Sequence, residues 1–167
     1  MSHGEGGGIV FRSARREDLP SIVALLADDE FGGGREEPSD PLPPEYYRAF
    51  EAIDANPNDN LIVAELAGTV VGTLQLTFLS CIANRGGWRA QIEGVRIVSA
   101  RRGSGLGREM ILWALDQARQ RGCQLVQLTS NKRRLDAIRF YRALGFEVSH
   151  EGLKLVVSSA RSLGGSR

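Results

Sequence analysis

The sequence predicts an α/β (α+β) fold, one domain on a mixed, mostly antiparallel central sheet of six to seven strands flanked by about four helices. Three observations predict it. Seven short runs are apolar or alternate apolar with polar residues, and turn residues bound them. Four longer stretches carry apolar residues at helical spacing. These stretches interleave with the runs in the order β-α-α-β-β-β-α-β-α-β-β, with no repeat and no internal linker.

The elements follow in order. "IVFRSA" (Ile9–Ala14) alternates and reads as the first strand. Asp18 suits an N-cap and Pro20 a first helical turn, ahead of the stripe in "SIVALLADD". Glycines and prolines make "FGGGREEPSDPLPP" a loop, and "PEYYRAFEAIDANP" is a second helix that stops before Pro57. "NLIVAEL" and "TVVGTLQLTFLS" form a hairpin across "AG". "CIANRGG" turns the chain into a further strand, "WRAQIEGVRIVS". A third helix spans Leu106 to Arg121 with Gly122 as its terminating glycine, and "CQLVQLTS" is the next strand. "KRRLDAIRFYRALG" is the last helix, and "FEVSH" and "LKLVVS" close the chain as strands.

A chain of 167 residues fits a single domain and needs no disulfide or metal to bury a core. The domain is expected over 9–158, with tails at 1–8 and 159–167. Cys81 and Cys123 have neither framework nor metal-ligand spacing, which points to a reducing cytoplasm. No apolar stretch reaches the ~20 residues of a membrane span, and no signal-peptide core is present, so a membrane partner is not expected. The net charge of +1 conceals an asymmetry. Between Glu17 and Asp59 there are 12 acidic residues and two arginines; between Arg101 and Arg142 there are ten basic residues and three acidic ones. Two regions of opposite sign suit two differently charged ligands, or are solvated helix faces. The near-neutral total argues against nucleic acid as partner of the basic stretch "KRRLDAIRFYR".

The chemistry concentrates in "RIVSARRGSGLGREM" (Arg96–Met110), where glycines alternate between a strand and a helix. A nucleotide P-loop needs Lys and then Ser or Thr after its last glycine, and Arg108 and Glu109 stand there instead. A dinucleotide fingerprint needs a third glycine where Arg108 or Met110 stands. A ligand-free tight turn remains an alternative. Glycines that admit a ligand to the backbone, free amides at a helix N-terminus, and Arg101, Arg102 and Arg108 together suit a polyphosphate.

"RGSGLG" (Arg102–Gly107) resembles the R/Q-x-x-G-x-G/A signature of the GCN5-related N-acetyltransferases. "IEGVRIVSA" resembles that family's fourth strand, and "AIRFYRALGF" (Ala137–Phe146) its second signature. The resemblance covers Ile9 to about Val157 and implies an acetyl-CoA-dependent N-acetyltransferase. In that family the fourth and fifth strands splay, and the pantetheine arm of acetyl-CoA lies in the gap. Carried over, this implies cofactor contacts from the backbone of Val95 and Ile97, and pyrophosphate on Arg102, Gly103, Ser104, Gly105, Leu106, Gly107 and Arg108. For Val95 and Ile97 a plain strand core is also open, and it is compatible with a backbone role. The Ile97 N–H would stabilise a developing oxyanion. Tyr141 matches the tyrosine that protonates the departing thiolate and also contacts the cofactor; a core tyrosine is the alternative.

An alkylammonium acceptor must lose a proton before it attacks. Glu93, the one carboxylate of the fourth strand, is the candidate base; otherwise it pairs with Arg89 or Arg96. Alternation puts Glu93 on the face of Val95 and Ile97 unless a bulge intervenes. The family's cofactor-binding asparagine falls at Arg134 here, and Asn131 three residues earlier is a substitute. Lys132, Arg133 and Arg134 would meet the 3′-phosphate of the cofactor or be solvated. Cys123 lacks a neighbouring base, no metal is expected, and His150 is a candidate only for the acceptor pocket. The acidic segment Asp28, Asp29, Glu30, Glu36 and Glu37, with Tyr46 and Tyr47, suits a small cationic amine or is a solubilising loop. Acetylation of a protein lysine or N-terminus, and a non-catalytic acyl-CoA sensor module, are the alternatives. A homodimer is left open.

Overall fold

The computed structural model describes residues 8–31, 33–155 and 157. Of the tails expected at 1–8 and 159–167, residues 1–7 and 159–167 lie outside the described residues. Five strands, β1 (Val10–Ser13), β2 (Asp59–Leu66), β3 (Thr69–Leu79), β4 (Trp88–Ile97) and β5 (Cys123–Leu128), form one sheet in chain order. β1 to β4 pair antiparallel, and β5 joins β4 in parallel. Parallel neighbours need a crossover, and α4 (Leu106–Gln120) supplies it. The remaining helices are α1 (Leu19–Ala27), α2 (Pro44–Asp54), the single turn α3 (Ala83–Gly86) and α5 (Leu135–Ala143).

Alternation along β2 divides the apolar side chains between two layers. Ile62 and Ala64 join Leu74, Leu76, Ala90 and Ile92 against Leu106, Met110, Ile111 and Ala114 of α4, with Phe140 and Tyr141 of α5 and its C-cap Leu144 beside them. Val63 faces the other way onto Leu19, Ile22 and Val23 of α1, with Tyr46 and Phe50 of α2 packed alongside. Helices thus cover both faces of the sheet, and α1 crosses β3 and β4.

Among the described residues the strand count, five, is lower than the six to seven expected. Residues 146–155, read as "FEVSH" and the start of "LKLVVS", carry no strand, and positions 156 and 158 lie outside the described residues. Gly145, at φ +93°, turns the chain away at the end of α5. Val148, Leu153 and Leu155 are then 71%, 95% and 86% exposed. With these three side chains in solvent, little offsets the entropy of ordering a strand past Phe146.

Candidate functional site

The site begins where the sheet opens. Pairing between β4 and β5 ends at Ile92 and Leu128, while β4 continues to Ile97 alongside β3. Val98 donates its N–H to the Val71 carbonyl at 2.9 Å. In an antiparallel ladder this turns the N–H and C=O of Ile97 away from β3 and into the gap. Side chains of the chain itself reach the carbonyls along this edge. Arg96 donates Nη1–H to the carbonyl of Val95 at 2.7 Å, and Arg102 donates Nε–H to that of Ile97 at 3.2 Å.

A bulge shifts the faces of β4. Gly94 lies at φ +61°, and the register jumps from Gln75↔Glu93 to Thr73↔Arg96, so two residues of β4 oppose one of β3. Val95 and Ile97 therefore pack towards the α4 core with Ile92, while Glu93 is exposed on the opposite face with Arg96. The alternation expected for Glu93, Val95 and Ile97 is broken at that glycine. Arg96 takes Asp29 as its partner instead of Glu93.

Past Ile97 the glycine turn meets α4. Gly103 and Gly105 have φ of +78° and +93°, and a Cβ on either would project into open space. Gly105 caps α4, whose first amides have no intrahelical partner. The turn is thus a bare backbone cradle at the positive end of a 15-residue helix, and it fits a pyrophosphate. Ser104 is committed to the turn itself: its N–H and its hydroxyl both donate to the Arg101 carbonyl, at 3.3 and 2.7 Å. Arg108 is exposed on the first turn of α4. Arg102 points back to α1, where Nη2–H meets the Asp28 carboxylate at 2.6 Å.

From α5, half-buried Tyr141 stands between Phe140 and Phe146, with ring centroids 5.1 and 5.7 Å away. Burial pushes its hydroxyl above the ordinary tyrosine range, and the charges of Arg96 and Arg134 act against that rise. Asn131 shapes the start of this helix: its Oδ1 accepts the Arg133 N–H at 2.9 Å. Lys132 is on the surface with Glu151, and Arg133 and Arg134 lie 5.2 and 5.0 Å from the Phe31 ring. His150 is exposed and bonded to Ser149, and burial raises the free thiol of Cys123.

The acidic segment is largely engaged within the chain. Asp29, its side chain only 4% exposed, binds both Arg96, at 2.6 Å, and Arg134. Burial drives its carboxyl upward, but the Arg134 hydrogen bond and the Arg96 charge prevail and hold it below the usual range. Glu36 accepts the Tyr46 hydroxyl at 2.9 Å, and Tyr47 lies under the Arg16 guanidinium at 4.3 Å. Sequence reading missed the role of Asp28 and Asp29 in holding these arginines, because it weighed them only as an acceptor rim or a solubilising loop. The available signal was the two adjacent carboxylates where α1 ends.

The opened strand offers an edge to an extended ligand and ends it in an anion cradle, with an aromatic hydroxyl alongside. An acyl group carried on a phosphorylated arm suits that layout, and the chain is an acyltransferase. Residues 20–146 match the model of the Acetyltransferase (GNAT) family, and the chain belongs to that family. It is 31% identical over 140 residues to an aminoalkylphosphonate N-acetyltransferase of Salmonella typhimurium, covering 83% of this chain and 85% of that protein. The crystal structure of a transcriptional regulator from Bacillus halodurans C-125 superimposes with a TM-score of 0.87 at 48% identity, over 89% of this chain and 99% of that one. Glucosamine-6-phosphate N-acetyltransferase from Arabidopsis thaliana shares the fold, with a TM-score of 0.71 at 19% identity over 91% and 100% of the two chains. Among the described residues, no helix is long and apolar enough to cross a membrane.

Proposed function

We propose that the protein transfers the acetyl group of acetyl-CoA directly to the primary amine of a small molecule. The observation that carries this reading is the end of β4–β5 pairing at Ile92, with the Ile97 backbone turned into the gap and a bare glycine cradle just beyond it. The backbone of Val95 and Ile97 would hold the pantetheine arm, and the amides of Gly103, Gly105, Leu106, Gly107 and Arg108 the pyrophosphate. Arg134, tied to Arg96 through Asp29, and Asn131, whose carbonyl accepts the Arg134 N–H at 2.9 Å, would be further cofactor contacts. Acetyl-CoA supplies a thioester, whose C–S bond breaks as the C–N bond to the acceptor forms.

The residues of this chain divide the proton work. Glu93, exposed beside the gap, takes the ammonium proton on its carboxylate, directly or through one water. The Ile97 N–H faces the gap and donates to the oxygen on which negative charge develops. Tyr141 gives the proton of its Oη to the leaving sulfur; its raised position keeps that proton in place at neutral pH. Thiol release from acetyl-CoA, followed across a panel of amines, tests the reading. With a reactive amine, E93Q and Y141F each lower turnover by about 10²-fold or more while acetyl-CoA affinity stays within about threefold. Unchanged turnover in both variants overturns the assignment.

A charge observation favours one acceptor class. Asp29 is shared by Arg96 and Arg134, so this three-residue cluster itself carries one net positive charge. An amine that also carries a phosphonate or carboxylate matches that surplus better than a simple polycation does. The relative named for aminoalkylphosphonates supports this choice. In the panel, aminoalkylphosphonates are expected to exceed diamines of equal length in kcat/KM, and a preference for diamines excludes this acceptor class.

A further inference from the structure

Beyond Ile92 no sheet hydrogen bond ties β4 to β5, so something else must set the width of the gap. A side-chain bridge joins β4 to the helix that follows β5. Asp29, just past the end of α1, places one carboxylate oxygen 2.6 Å from Arg96 of β4 and the other on Arg134, the N-cap of α5. The carboxylate is 4% exposed and the guanidiniums 21% and 26%, so solvent screens the bridge weakly. Arg134 lies seven residues before Tyr141, about two helical turns, which puts both on one side of α5. Arg96 and Arg134 are also the two charged groups that act on the Tyr141 hydroxyl, and the rings of Phe140 and Phe146 pack edge-on against its own.

We propose that Asp29 is a positioning residue for the transfer step, holding α5 against β4 so that the Tyr141 hydroxyl stays aimed into the gap. Asp29 touches neither acceptor nor cofactor in this scheme; it acts through Arg96 and Arg134. The inference rests on the reading of Tyr141 as the proton donor.

A double-mutant cycle on kcat tests it, using D29N, Y141F and the pair, with acetyl-CoA and a reactive amine. D29N keeps the size of the side chain and removes the charge that holds both guanidiniums. It is expected to lower kcat by about 10- to 50-fold with the KM for acetyl-CoA within about threefold, and to add less than about twofold to the loss in Y141F. Losses that multiply in the double variant overturn the proposal and leave the role of Tyr141 intact. If Y141F turns over like the parent, the reading of Tyr141 fails and the proposal fails with it. Should D29N fail to fold, R134N cuts one arm of the bridge and is expected to show the same non-additivity. R134N that behaves like the parent also overturns the proposal.

Discussion

Arg102 holds the carbonyl of Ile97 with its Nε–H at 3.2 Å and the carboxylate of Asp28 with its Nη2–H at 2.6 Å. Arg96 repeats the pattern one step back along β4, between the Val95 carbonyl at 2.7 Å and Asp29 at 2.6 Å. A strand edge without a partner strand has to satisfy its polar groups some other way, and here two arginines do so. These are the same carbonyls that an extended amide ligand would use. In the proposed binding mode, Arg102 and such a ligand would compete for Ile97.

The competition predicts the effect of Asp28→Asn. Both members of the Arg102–Asp28 pair are 52% exposed, so the pair contributes no more than about 1 kcal/mol. Releasing Arg102 is expected to tighten coenzyme A binding by about two- to fivefold, measured by calorimetry, with little change in Tm. Weaker binding would show that Asp28 supports the site instead of competing for it.

The glycine turn predicts a contrast between neighbours. Gly105 has φ +93°, so alanine there is strained by about 1–2 kcal/mol although space is free around it. Gly107 has no such φ, and its added Cβ would sit 3.7 Å from Ile97 and from Phe140, an ordinary contact. Gly105→Ala should lower Tm by several degrees and weaken coenzyme A binding, whereas Gly107→Ala should retain both. Equal losses in the two variants would contradict this account.

Much of this site was legible in one sequence, and the illegible part has a physical cause. The glycine turn, the crossover helix and Tyr141 are local patterns, written over spans of about ten residues. Gly94 was visible as a glycine inside a strand, a usual mark of a bulge, but only the register against Thr73 and Gln75 shows which side chains it flips. The Asp29 bridge joins residues 67 and 105 positions apart, and no local pattern encodes such a pairing. "FEVSH" and "LKLVVS" alternate as strands should. Alternation records which face could be buried, and in residues 146–155 no partner edge buries it.

Acid stability is predicted to depend on the first strand. Arg12 grips Asp18 with two bonds of 2.6 and 3.0 Å and Glu65 with a third of 2.7 Å, and the Arg15 N–H donates to Asp18 at 2.7 Å. The Arg12 hydrogen bond is the main influence holding the Asp18 carboxyl below its ordinary 3.8, against the opposing effect of burial. A carboxylate depressed in the folded state stabilises the fold above its unfolded value, and that contribution is lost as pH falls through the folded value. Asp18→Asn should therefore cost about 2–3 kcal/mol at neutral pH, since it breaks a largely buried pair. In thermal melts, the gap between parent and variant should stay constant above about pH 5 and shrink below the ordinary value of 3.8. A gap that does not depend on pH would show that the pair is not what Asp18 contributes.

Gly72 on β3 offers the most direct way to disturb the opened edge without replacing a residue of the site. It pairs with Ile97, and a Cβ at this position would stand 2.8 Å from Ile97 Cδ1 and 3.1 Å from the Arg96 carbonyl oxygen. The Ile97 methyl can rotate away; the carbonyl belongs to the ladder and has to move by a few tenths of an ångström. Overpacking of this kind costs about 1–3 kcal/mol. It is also expected to push β4 towards the gap, where the proposed cofactor site uses the backbone of Ile97. Gly72→Ala should therefore lose coenzyme A affinity out of proportion to its stability. Gly8→Ala, where an added Cβ meets nothing within 4 Å, serves as the control and should change neither quantity. If Gly72→Ala binds coenzyme A as the parent does while its Tm falls, the Ile97 backbone is not part of the cofactor site.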